Sequence, residues 1–129
     1  MILDSSAVVA MIGREPGSEK LLDRVAEAPL IGVGTPTLLE TTMVLIGRFG
    51  PLGRLALSRF LDENEVVSIP FGERHWSVAG EAFIRYGKSR HPAALNLGDC
   101  MSYATASLAG EPLLYVGNDF SQTDIESVL

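Results

Sequence analysis

The chain opens with three apolar residues, Met1-Ile2-Leu3, that stop at a carboxylate and two hydroxyls, Asp4-Ser5-Ser6. An apolar run this short, closed by a polar turn, suits a strand buried in a parallel sheet. The six residues that follow, Ala7 to Ile12, have the composition of a short buried helix. Asp4 then falls at the carboxyl end of a strand, and in open α/β sheets ligands bind in the crevice outside those ends. The remainder of the chain decides what else arrives there.

The same pattern returns three times. Leu30–Gly34, Val66–Ile69 and Leu113–Val116 read as further short strands, separated by stretches with helical periodicity. Ser18 to Ala28 places Leu21, Leu22 and Val25 on one face of an amphipathic surface helix. Thr35-Pro36 predicts an N-cap and first helical position, because the hydroxyl can satisfy a free amide and proline needs no donor there. The helix it starts carries Leu38, Leu39, Thr42, Leu45, Ile46 and Phe49 on one broad face and ends near Gly50-Pro51. Arg54 to Asn64 is a helix with Leu57, Phe60 and Leu61 inward, and Phe71 to Tyr86 one with Trp76, Ala79, Phe83 and Tyr86 inward. Asn96 to Asp99 opens a helix of small residues, Cys100 to Ala109, with Gly110 in the C-cap position. Strands alternating with helices imply βαβ units. The expected fold is α/β, a three-layer arrangement with a central parallel sheet of four to five strands and helices on both faces.

At 129 residues and 47% hydrophobic content, the chain is expected to form one domain over 1–129 with a core of its own. Its longest apolar run, Ala7 to Ile12, is far short of the ~20 residues that a membrane span needs. With no basic leader before the first apolar stretch, the expected location is cytoplasmic, away from any membrane. The single cysteine, Cys100, allows no internal disulfide and reads as a small buried helix residue. Sixteen acids against ten bases give a net charge of −6, which by itself opposes binding to nucleic acid. Local sign matters more than the sum. Lys88, Arg90 and His91 cluster in one loop as candidate phosphate contacts, Arg14 is a weaker one, and carboxylates that hold a cation are partly neutralised.

Four acids converge on one edge of the inferred sheet: Asp4 after the first strand, Glu40 after the second, Asp99 at a helix start and Asp119 after the last strand. Taken singly, each has an ordinary reading. Asp99 complements a helix dipole three residues after Asn96, Glu40 is a solvated helix former, and Asp119 is a turn residue. Asp4 has the fewest such explanations. Together they would repel and raise one another's pKa unless a cation joined them, and hard oxygen donors without His or Cys suit Mg²⁺ or Mn²⁺.

Leu3-Asp4-Ser5-Ser6-Ala7, Pro36-Thr37-Leu38-Leu39-Glu40, Asn96-Leu97-Gly98-Asp99-Cys100 and Leu114-Tyr115-Val116-Gly117-Asn118-Asp119-Phe120 resemble, in order and spacing, the blocks of PIN-domain ribonucleases, and in particular of VapC toxins from bacterial toxin–antitoxin systems. The resemblance spans essentially the whole chain. It implies that Asp4, Glu40, Asp99 and Asp119 are the catalytic and metal-binding carboxylates, with Ser6 helping to order them. Many relatives carry the fourth acid earlier in its loop, where this chain has Asn118, so that role falls to Asp119, to Asn118 or to both. It further implies Mg²⁺-dependent hydrolysis of RNA of the transfer or ribosomal class, with Mn²⁺ able to substitute. A cognate VapB-type antitoxin and a homodimer are the implied partners, and the helices at Ser18–Ala28 and Pro36–Phe49 are the expected walls of the antitoxin groove. Two alternatives compete. One is a flavodoxin-like phospho-receiver, which would want a lysine at the last strand, where Leu113 to Phe120 has none. The other is a catalytically silent PIN-like RNA-binding protein, against which the presence of all four acids argues.

Overall fold

A computed structural model describes residues 1–129. Its elements, in chain order, are β1 (Ile2–Leu3), α1 (Ser5–Ile12), α2 (Ser18–Glu27), β2 (Gly32–Gly34), α3 (Thr35–Phe49), α4 (Pro51–Glu63), β3 (Val67–Ile69), α5 (Glu73–Tyr86), α6 (Leu97–Ala109) and β4 (Leu113–Leu114). The four strands form one sheet in the order β3-β2-β1-β4, every pairing parallel. No helix is long and apolar enough to cross a membrane.

The strands are short, yet they sort the core. Ile2 lies level with Leu113, and Leu3 with Leu114, so the two-residue alternation sends the first pair to one face and the second to the other. Leu3, Val33 and Leu114 join a core with α1, α2 and side chains of α3 and α4. Ile2 and Leu113 join a second core with α5 and α6. Three layers result. The outer edge of β4 is partly closed by the end of the chain: Leu113 bridges Ser127 in parallel, donating to Glu126 O at 2.8 Å and accepting from Val128 N at 3.1 Å. This rudimentary fifth strand blunts an edge that would otherwise offer unpaired backbone groups.

Three sequence expectations change in detail. Thr35 is the first helical residue of α3 and not its cap: extended Gly34 holds the cap position, without a side-chain hydrogen bond, because β2 runs straight into the helix. On α3 itself the buried stripe is Thr37, Thr41 and Leu45, while Leu39, Ile46 and Phe49 are exposed. The helix can turn its threonines inward because their hydroxyls find partners, Thr41 Oγ1 donating to Thr37 O at 2.7 Å and Thr37 Oγ1 lying 3.2 Å from Ser102 Oγ. On α5, Ala82 and Tyr86 are buried while Trp76 is 72% exposed and Phe83 42%. A stripe of small residues lets α5 approach the equally small-faced α6, and the large rings are left on the flank.

The rotation of α3 is testable with adjacent residues. Leu45 is fully buried and Ile46 is 43% exposed. In urea unfolding, Leu45→Ala is expected to cost about 2–5 kcal/mol. Ile46→Ala is expected to cost about 1 kcal/mol or less.

Candidate functional site

Asp4 leaves β1 and enters α1 as its N-cap, a role the sequence reading had underrated. Its side chain is buried and accepts three hydrogen bonds. Oδ2 takes Ser6 N at 3.1 Å and Ser6 Oγ at 2.6 Å, while Oδ1 takes Ser102 Oγ at 2.6 Å. A carboxylate has about four lone-pair directions, so roughly one is left open. Ser6 Oγ also accepts from Val116 N at 3.0 Å, which ties the exit of β4 to the exit of β1. The chain's path along the sheet reverses direction between these two strands, so the crevice at their carboxyl ends is the topological switch point.

Asp99 reaches the same crevice from the first turn of α6. Asn96 and Asp99 cap each other: Asn96 Oδ1 accepts from Asp99 N at 2.9 Å, and Asp99 Oδ2 accepts from Asn96 N at 3.0 Å. The bland reading of Asp99 as a helix-start acid is therefore correct as geometry, but it is incomplete. Burial raises the proton affinity of Asp99, the Asn96 N–H opposes the rise, and the charges of Asp4, Asp119 and Glu40 add to it, leaving the carboxyl pushed up to about 6 from an ordinary 3.8. All four acids are thus close enough to act on one group. Glu40, half-buried in the second turn of α3, rests its carboxylate against Gly98 beside Asp99. Asp119 is exposed in the loop after β4, where the Asn118 carbonyl accepts from Ser121 N and Oγ. Asp124, which accepts from Tyr103 OH and pairs with Arg85 at 3.4 Å, moors the chain just beyond that loop.

None of the four acids has a cationic partner among the ion pairs of the structure. Nor do any three His, Cys, Asp or Glu side chains form a group that could by itself hold a metal ion. Mg²⁺ is usually held by one or two carboxylates while keeping waters and substrate phosphates as its other ligands, and oxygen-only donors are what it accepts. By donor chemistry, Asp4, Asp99, Glu40 and Asp119 fit a hydrated Mg²⁺ or Mn²⁺.

The basic residues stand apart from this cluster. Lys88 and Arg90 are exposed in the turn between α5 and α6, with the Arg90 guanidinium 5.8 Å from the Phe83 ring. His91 builds that turn: its Nδ1 accepts from Ala93 N at 3.0 Å and its ring meets Tyr86 edge-on. Arg14 is exposed just after α1. Cys100 is buried, and its thiol is pushed up to about 11 by burial and the charge of Asp99, which leaves it inert as a nucleophile. Two residues the sequence reading missed are Ser102 and Thr37, a short hydroxyl chain leading to Asp4. A signal existed for both: each stands three residues, one helical turn, from a candidate acid, Asp99 or Glu40.

Comparison with known proteins agrees with this geometry. The PIN domain family model matches residues 1–126. Ribonuclease VapC36 of Mycobacterium tuberculosis is 46% identical over 127 residues, covering 98% of this chain and 91% of that protein. A ribonuclease VapC of Mycolicibacterium smegmatis is 41% identical over 128 residues, covering 99% of each. The chain belongs to the PIN-domain family, among the VapC ribonucleases. Its fold is also that of solved toxins of low sequence identity. Mycobacterium tuberculosis VapC20, described as a sarcin-ricin loop cleaving toxin, has a TM-score of 0.80 at 18% identity and covers 98% of this chain and 97% of its own. VapBC2 from Rickettsia felis, solved with a fragment of promoter DNA, has a TM-score of 0.77 at 16% identity, covering 98% and 94%.

The raised Asp99 makes a signed prediction for the metal-free protein. The folded state holds this proton more tightly than the unfolded chain does, so the contribution favours folding fully below about pH 4 and is lost as pH rises through about 6. Asp99→Asn, which keeps the acceptor for Asn96 N–H, is expected to melt a few degrees above the parent at pH 7.5 and to lose that advantage at pH 4. Thermal unfolding in EDTA at the two pH values checks this.

Proposed function

We propose that this protein is a metal-dependent endoribonuclease, the toxin of a VapBC-type pair, acting in the cytoplasm and held in check by a VapB-type antitoxin. The observation that carries the reading is the carboxyl of Asp99, raised first by its burial and further by the charges of Asp4, Asp119 and Glu40, and offered no protein cation. A folded chain keeps so unfavourable a cluster only where something else supplies positive charge. Family membership and the names of the relatives support the rest.

In this mechanism Asp4 and Asp99, with Glu40 and Asp119, would hold the cation. When bound, Mg²⁺ or Mn²⁺ supplies acidity to a water and neutralises charge on the phosphate. Ser6 and Ser102 fix the Asp4 carboxylate so that it need not reorganise as charge develops. Glu40, longer and less constrained, orients the attacking water or takes its proton. The water oxygen bonds to phosphorus as the bond to the 3′ oxygen breaks, the 3′ oxygen takes a proton from solvent to leave as a hydroxyl, and no covalent enzyme intermediate is needed. Lys88 and Arg90, exposed in the turn before α6, are the proposed contacts for backbone phosphates, with exposed Arg14 in the same role. The RNA is of the transfer or ribosomal class, as it is for the toxin described as cleaving the sarcin-ricin loop. Solved relatives include toxin–antitoxin complexes from Klebsiella pneumoniae and Salmonella typhimurium, and a VapB-type antitoxin is accordingly the inhibitor proposed here.

Two copies of the chain are proposed to meet through an apolar surface centred on Leu97. Two adjoining clefts share this residue, one of about 490 Å³ lined by Leu39 and Met43 and one of about 370 Å³ lined by Trp76 and Phe83. Trp76→Asp is expected to turn a dimer into a monomer in sedimentation velocity; an unchanged sedimentation coefficient would place the interface elsewhere.

The enzymatic reading is tested by incubating the purified chain with total RNA and Mg²⁺ or Mn²⁺. Discrete fragments are expected with metal and none with EDTA, and Asp4→Asn and Asp99→Asn should each lower the rate by roughly a hundredfold or more. Cleavage that survives either substitution would contradict the assignment.

A further inference from the structure

Gly98 occupies the first turn of α6, directly before Asp99, with no positive φ to call for glycine there. Glycine lowers helix propensity at such a position, so its presence needs another reason. Space supplies one. A β-carbon built on Gly98 would stand 2.3 Å from Glu40 Oε2 and 2.9 Å from both Glu40 Cδ and Oε1. These distances are far inside the ~3.5–4.0 Å of comfortable non-bonded contact. The Glu40 carboxylate therefore lies where the side chain of residue 98 would otherwise be, against the backbone of α6 and one residue from Asp99.

We propose that Gly98 is a positioning residue for Glu40: its missing side chain is the seat that holds the Glu40 carboxylate beside Asp99. This deepens the metal-site reading and rests on it. The atoms that would clash belong to the free end of a flexible side chain, so a methyl group at residue 98 expels Glu40 without displacing α6. The substitution should therefore change the site and spare the fold.

The test is a double-mutant cycle on the full chain with Gly98→Ala, Glu40→Ala and the pair. Two quantities are read: the melting temperature in EDTA and the affinity for Mn²⁺ by calorimetry. Gly98→Ala is expected to melt at or above the parent temperature while binding Mn²⁺ roughly tenfold or more weakly, by the same factor as Glu40→Ala. The pair should bind no more weakly than Glu40→Ala alone. Parent-like Mn²⁺ affinity in Gly98→Ala, or losses that multiply in the pair, would overturn the proposal. If the parent itself takes up no Mn²⁺, the metal-site reading fails and the seat is judged on melting alone. A Gly98→Ala shift that differs between the Glu40 and Glu40→Ala backgrounds upholds it, and equal shifts overturn it.

Discussion

A buried carboxyl with three other acids nearby and no cationic partner is the constraint around which this small domain is arranged. Burial is the main cause that pushes the Asp99 carboxyl up to about 6, and the charges of Asp4, Asp119 and Glu40 add to it against a capping hydrogen bond that works the other way. The protein leaves that cost in place. It spends hydroxyls and backbone amides on orienting the acids and gives none of them an arginine or lysine, although ten basic residues were to hand. A basic partner would have steadied the fold and filled the position a metal ion and a phosphate need. The cluster is thus a stability cost accepted in exchange for a site.

Topology makes the crowding possible with very little chain. Two-residue strands suffice because β1 and β4 lie side by side in parallel register at the point where the chain's path along the sheet reverses, so their exits open into one crevice. Ser6 then joins the two exits by bonding both Asp4 and Val116 N–H, and Ser102 brings α6 to the other oxygen of Asp4. Close approach of α6 also depends on an absence of bulk, since a β-carbon at Gly34 would meet Thr105 Oγ1 at 2.8 Å. One network of hydroxyls accordingly fixes strand exits, helix placement and carboxylate orientation together.

Much of this was legible from the residues because the governing patterns are local. Short apolar runs closed by Asp4 or followed by Asp119 announced strands of a parallel sheet, and Asn96 with Asp99 announced a helix start that the reciprocal cap reproduces. What could not be read was the choice between stripes of similar helical spacing. On α3, apolar Leu39 and Ile46 looked better suited to a core than Thr37 and Thr41, yet the threonines went inside, where Thr37 meets Ser102 of α6 and Thr41 bonds the Thr37 carbonyl of its own helix. On α5, Trp76 lost its expected core place to small residues for the same reason of fit. Ser102 and the Gly98 contact with Glu40 were hidden because they depend on distances between α6 and elements 58 or more residues away in sequence, set by packing that no window of sequence contains.

The central claim is that the crevice between β1 and β4 is a cation site built from Asp4 and Asp99. Its most direct test is a crystal grown with millimolar Mn²⁺ and measured at a wavelength where manganese scatters anomalously. A peak within bonding distance of the Asp4 and Asp99 carboxylates, with waters completing its coordination, is the result this account requires; a peak elsewhere, or an empty crevice, would contradict it.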